Sequence, residues 1–221
     1  MPIGKASFLG SPYVGVYVKA SDRLVIVPAT FSSHEKTHVA RWLNAPVVPA
    51  TIGSGDLAGA LAAMNSHGII VTDEIEDRDV EQLRRYTPVV VMPTRLNALG
   101  NNILSNDFGA VVHPGYSSSE IEQIESALGV KATSATIAGE GTVAKTAVAT
   151  NKGVLVHPAS TSHEIEVLRN ALQVPVHKTT ANFGNPLVGA CVVANSQGII
   201  AGNRTTPVEL IHIEDGLSVY D

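Results

Sequence analysis

The chain has 221 residues, of which 44% are apolar but only 5% aromatic, so its core must be built from Val, Ile, Leu and Ala. A formal net charge of −5 with no Lys/Arg block argues against binding of free nucleic acid through the phosphate backbone, which needs a concentrated basic face. It leaves room for a docked position on a particle whose protein parts are basic.

The N-terminal stretch MPIGKASFLGSPYVGVYV lacks a basic flank ahead of an apolar block, so no signal peptide is expected. No apolar run approaches the roughly 18 residues that span a bilayer. The single cysteine, Cys191, permits no intramolecular disulfide and fits a reducing, cytoplasmic setting.

Along the chain, a pattern of Gly, five residues and a polar turn residue recurs every 41–45 residues. It begins loosely at Gly15–Ser21, is strict at Gly59–Asn65 and Gly100–Asn106, loosens again at Lys145–Asn151, and returns at Gly189–Asn195. A short apolar run follows each copy: RLVIVP, GIIVTD, GAVVHP, GVLVHP and GIIAGN. Such runs bounded by turn signals predict buried strands. Eleven or twelve residues into each run comes a carboxylate: Glu35, Asp79, Glu120, Glu164 and Glu209. Four of these stand three residues after a hydroxyl, at Ser32, Ser117, Thr161 and Thr206, the spacing of a capping box. Helical periodicity follows, as in EIEQIESALG, where Ile121, Ile124 and Leu128 share a face and Gly129 suits the C-cap. DVEQLRRY keeps the apolar face through Val80 and Leu83 but has no hydroxyl at the cap. Another strand then closes the unit, as in APVVPATI or TPVVVMPT.

The unit therefore reads as ββαβ. WD40-type propellers share the period but are all β, and a TIM barrel needs eight shorter units. The expected fold is α/β: a single domain over 1–221, a five-bladed propeller of pseudo-fivefold symmetry, pentein-like. Its repeats fall at approximately 8–52, 53–95, 96–137, 138–181 and 182–217, with LAGALAAM and VGACVVAN as inner strands and the helices outside.

Catalytic patterns are weak. Cys191 lies in LVGACVVAN with no basic neighbour and reads as a buried structural thiol. His113 and His157 occupy equivalent V-H-P positions in two units, which holds them apart; His34 and His38 share a helix face without a companion ligand. The carboxylates of VTDEIEDRDVEQL read as helix-dipole complementation and a solvated face. No phosphate loop or dinucleotide fingerprint is present, and neither metal nor cofactor is expected.

What remains is a surface made of repeated polar turns. Asn65, Asn106, Asn151 and Asn195 are explained by the preference of asparagine for positive-φ turns. Asn101 and Asn102 are not, because the aligned positions read Ala60–Leu61, Thr146–Ala147 and Ala190–Cys191.

RLNALGNNILSND, from Arg95 to Asp107, resembles the R-L-x-A-L-G-N-x-x-x-x-N-D segment of the translation initiation factor 6 family. GAVVHP, GVLVHP, LQVPV, TTANFG and TTPVELIHIED extend the resemblance from about residue 8 to 217. The likeness is to the archaeal form, without an extended C-terminal tail. It implies a non-catalytic protein, expected as a monomer. Such a protein binds the large ribosomal subunit on its intersubunit face, at a uL14-type ribosomal protein near the sarcin–ricin loop, and so prevents association with the small subunit. The implied partner-binding residues centre on Asn101 and include Asn102, Gly100, Asn106, Asp107, Gly15, Ala60, Asn65 and Thr146. NSQG at 195–198 departs from the family's usual N-D pair. Two other readings stand beside this one. The first is a guanidine- or amide-modifying enzyme on the same fold, which needs a reactive thiol; the second is a small-ligand receptor using the axial channel.

Overall fold

The computed structural model describes residues 2–53 and 55–217. Along them, short and long helices alternate: α1 (Val14–Tyr17), α2 (Ser33–Leu43), α3 (Ala58–Leu61), α4 (Asp77–Arg84), α5 (Leu99–Asn102), α6 (Ser118–Leu128), α7 (Val143–Thr146), α8 (Ser162–Leu172), α9 (Val188–Cys191) and α10 (Pro207–Leu217). The strands form five three-stranded sheets. The second shows the pattern: Ala62–Met64 runs antiparallel to Ile69–Val71, which pairs in parallel with Val89–Val91. In every sheet the middle strand is buried along its whole length, which explains its unbroken apolar sequence.

The short helices are absent from the ββαβ reading. Ala58–Leu61 and Val188–Cys191, expected as the first halves of inner strands, are single helical turns, and only Ala62–Met64 and Val192–Asn195 are strand. Glycine makes the turns possible. They pack in the order α1, α3, α5, α7, α9, and α9 meets α1 again. A methyl group at Gly59 would strike the carbonyl of Gly15, at Gly100 that of Gly59, at Gly189 that of Ala144, and at Gly15 that of Gly189. Ala144 holds the equivalent place in α7. The fourth repeat is therefore aligned on Ala144–Thr150, one residue earlier than Lys145–Asn151, and the α7 residues matching Asn101–Asn102 are Lys145–Thr146.

The fifth sheet is completed from the other end of the chain. Gly198–Gly202 pairs with Val192–Asn195 on one side and in parallel with Ile3–Ala6 on the other. Residues ahead of position 8, outside the first repeat as read from sequence, thus supply the last sheet's third strand. Apolar clusters also straddle units. Leu24 and Ile26 pack with Ile69, Val71 and Leu83, and Val193 and Ile200 pack with Val25, Val27 and Leu43. No unit buries its apolar face alone.

Capping boxes form at Ser32/Glu35, Ser117/Glu120 and Thr161/Glu164, and Thr206/Glu209 makes the same reciprocal bonds. The carboxylates do more than cap. Glu120 also accepts from Thr94, Glu164 from Thr136 and the Gly139 N–H, and Glu209 from Thr180 and the Gly184 N–H. The three threonines end the preceding unit. α4 lacks a side-chain cap at Glu76, and Asp79 instead accepts from the Thr51 N–H at 3.1 Å.

Candidate functional site: two ends of a ring

Each inner strand has a short helix at one end and a hairpin turn at the other, so the sequence-predicted site residues divide between two surfaces. Gly15, Ala60, Gly100, Asn101, Asn102 and Thr146 belong to the short helices. Asn65, Asn106 and Asp107 belong to the hairpin turns. Ile103–Ser105 separates Asn102 from Asn106 by about 13 Å of extended chain.

At the hairpin end the asparagines are consumed by the architecture. Asn106 accepts from the Phe108 and Gly109 N–H groups and donates to the carbonyls of Thr150 and Leu172 in the next unit. Asn65 does the same toward Asn106 and Leu128, and Asn195 toward Ser21 and Leu43. All three are buried. None has a positive φ, so the turn preference invoked for them is not the reason asparagine stands there. The reason is an amide whose oxygen satisfies its own turn while its nitrogen satisfies the neighbour. Ser21 and Thr150 hold the same turn through hydroxyls, which are too short to reach across. Asn195 makes the full set, so the last unit's NSQG turn is built like those at Asn65 and Asn106. One position later, Asp22 accepts from the Ser196 N–H and Asp107 from the Ser66 N–H, and Asn151 donates to both carboxylates at 2.8 and 2.7 Å.

The short-helix end is different. Asn102 is buried, donates to the Leu96 carbonyl at 3.1 Å, and lies beside Tyr116, whose phenol is pushed up by burial and also bonds Leu96. Thr146 is buried and returns its hydroxyl to Val143 within its own turn. Gly15, Ala60 and Gly100 are packing positions. Asn101 alone is half-buried with a side-chain amide that makes no hydrogen bond among the described residues. The pair that broke the repeat thus resolves into one structural residue and one with donor and acceptor free.

The same end of the ring exposes apolar side chains that sequence reasoning missed. Tyr13 and Leu57 immediately precede α1 and α3, and Leu9 and Phe183 cap tight turns. Phe183 is 77% exposed and has φ +65°, a conformation a bulky residue rarely adopts. The signal was available in the recurrence of TIAG at 136–139 and TANFG at 180–184, loops that place a left-handed residue before the glycine.

The groups weighed for catalysis occupy structural places. Cys191 ends α9 fully buried; burial above all, and the charge of Glu209, push its thiol up to about 11 against a hydrogen bond from Asn182. His113 and His157 each accept, through Nδ1, the N–H two residues on. His34 and His38 stack at 4.2 Å on α2. Among the described residues no group of three or more His, Cys, Asp or Glu is placed to hold a metal, and no helix is long and apolar enough to cross a membrane. Along the axis a cavity of about 40 Å³ is lined by Gly15, Lys19, Leu104, Ser105 and Val148 among others.

Fold and site together define a class before they define a family: a repeat-built α/β protein whose distinctive feature is a ring-end surface rather than a cleft. The chain belongs to the eIF-6 family, whose profile it matches over residues 3–216. It is 42% identical to translation initiation factor 6 of Haloquadratum walsbyi over 98% of this chain and 97% of that protein. The same factor of Methanocella arvoryzae is 42% identical over 99% of both chains. That of Pyrococcus abyssi is 37% identical over 99% of this chain and its own full length.

Proposed function

We propose that this protein is a non-catalytic translation initiation factor that binds the large ribosomal subunit on its intersubunit face and thereby blocks joining of the small subunit. In this reading the five units close into a propeller, a rigid disc acting as a monomer in the cytoplasm. The short-helix end docks against a uL14-type ribosomal protein near the sarcin–ricin loop. The observation that carries the reading is Asn101: in a chain of this family, it is the repeat-breaking residue left with an unspent amide, on the same end of the ring as the exposed Tyr13, Leu57 and Phe183. Aromatic and apolar side chains around a free polar group form the usual centre of a protein interface. Asn102, Gly100, Thr146, Gly15 and Ala60 shape that end without offering free groups. Asn65, Asn106 and Asp107, at the other end, support the ring.

The enzyme reading draws no support from Cys191, whose neutral, buried thiol is the opposite of an activated nucleophile. The receptor reading meets a cavity of about 40 Å³, room for a few waters rather than a metabolite. Co-sedimentation with purified large subunits tests the proposal. Wild-type protein is expected in the subunit fraction, and Asn101→Ser is expected to weaken that association about tenfold with an unchanged melting temperature. Wild-type protein remaining at the top of the gradient contradicts the binding claim. A large fall in melting temperature for Asn101→Ser contradicts the role given to Asn101.

A further inference from the structure

The inner ring has one irregular junction. At four of the five junctions between short helices, the carbonyl of the second helical residue faces a glycine of the next helix. The exception is Gly100, whose following neighbour is Ala144. That carbonyl accepts instead from Lys19 Nζ at 3.2 Å, a residue 81 positions away in the first unit. Lys19 has no counterpart in the ring, since the equivalent inner-strand positions hold Ala63, Leu104, Val148 and Val193. Its side chain enters the axial cavity, and Gly100 O is its one hydrogen-bond partner among the described residues. No carboxylate there lies within ion-pair distance of it. An ammonium in such a place is costly: desolvation brings its pKa down to about 8.

A charged group held without a counter-ion, on the one carbonyl that lacks its glycine, adjoins the half-buried asparagine whose side-chain amide is unspent. We infer that Lys19 is a positioning residue for docking: its ammonium bonds the Gly100 carbonyl across the axis and fixes the α5 turn in the orientation that presents Asn101. The inference rests on the docking role proposed above for Asn101. Gly100 C=O and the Asn101 N–H belong to the same peptide group, so the bond acts one peptide plane from the docking residue. Its effect is pre-organisation, a reduced ordering cost on binding rather than a contact with the partner.

The inference separates stability from affinity. Lys19→Met removes a desolvated charge from a cavity lined, Ser105 apart, by apolar side chains and backbone, so its melting temperature is expected to be equal to or higher than that of wild type. Its affinity for purified large subunits is expected to fall about tenfold. The amide ¹⁵N shift of Asn101 in the free protein is expected to move, because that nitrogen reports on hydrogen bonding to the preceding carbonyl. Lys19→Arg, which keeps a cationic donor, is expected to recover part of the affinity. Unchanged affinity of Lys19→Met, beside wild-type binding, overturns the inference and leaves the docking role intact. An unmoved Asn101 resonance overturns it through the free protein alone. Wild-type protein that does not bind removes the docking role and this inference with it. If the Met and Arg variants are equally impaired and both melt lower, Lys19 is structural and the inference fails.

Discussion

Asn106 shows how far a single side chain is committed to the ring. Its four hydrogen bonds, at 2.8–3.1 Å, join its own turn to the next unit's turn and to the C-terminal carbonyl of α8. Asn106→Ala leaves the N–H groups of Phe108 and Gly109 and the carbonyls of Thr150 and Leu172 without partners and is expected to cost about 3 kcal/mol, measured as a shift in the denaturant midpoint. A loss below about 0.5 kcal/mol would show that water replaces the amide at no cost. Asn101, four residues before the same turn asparagine's strand ends, is expected to show the opposite profile: binding lost, stability kept. Sequence comparison between repeats set the Asn101–Asn102 pair apart, since no other unit carries asparagine there. It could not divide the pair, because burial of Asn102 against Leu96 and Tyr116 depends on the loop that precedes α5.

At the scale of elements, the conspicuous device is the carboxylate in the first turn of the long helices. In Glu164, burial raises the pKa, but the N–H groups of Gly139 and Thr161 and the hydroxyls of Thr161 and Thr136 outweigh it and hold the group down to about 2. Glu209 is held at about 2 in the same way, by the Thr206 and Gly184 N–H groups and by the Thr180 and Thr206 hydroxyls. Glu120 is lowered by the Ser117 N–H and by the Thr94 and Ser117 hydroxyls. A folded-state pKa below the unfolded one gives stability that is complete above the unfolded value of about 4.5 and lost as pH falls toward 2. Equilibrium unfolding between pH 6 and 2 is therefore expected to lose stability steeply below pH 4.5. Glu164→Gln is expected to flatten that slope by roughly 1–2 kcal/mol across the window. A variant as acid-sensitive as wild type would contradict the assignment. The hydroxyl–x–x–Glu spacing made the caps legible in sequence, because a capping box is a local contract among four residues. The second set of bonds, to Thr94, Thr136 and Thr180, was not legible, because each comes from the preceding unit. The short helices α3 and α9 read as strands for a related reason. Four residues are too few to show a helical period, and their small side chains answer to neighbouring carbonyls rather than to local propensity.

For the whole molecule, the five-unit period was visible at once, while the way the chain closes on itself was not. Ile3–Ala6 carries a β-compatible sequence too short to stand out, and its partner lies almost 200 residues away. Gly4 is required there because a methyl group would collide with the Trp42 ring of the first unit, so the strand locks first and fifth units together. Removing residues 1–6 leaves Gly198–Gly202 with an unpaired edge and is expected to cost about 3 kcal/mol, lowering the melting temperature as one cooperative transition because the apolar clusters straddle units. Separate melting of the fifth unit would contradict that coupling. The function proposed depends on such rigidity, since a disc that blocks subunit joining must hold its docking end in one shape. The most direct measurement is light scattering of small and large ribosomal subunits mixed under joining conditions, with this protein added first. Joining is expected to fall in proportion to the protein bound, and Asn101→Ser is expected to require about tenfold more protein for the same effect. Full joining in the presence of saturating, subunit-bound protein would contradict it.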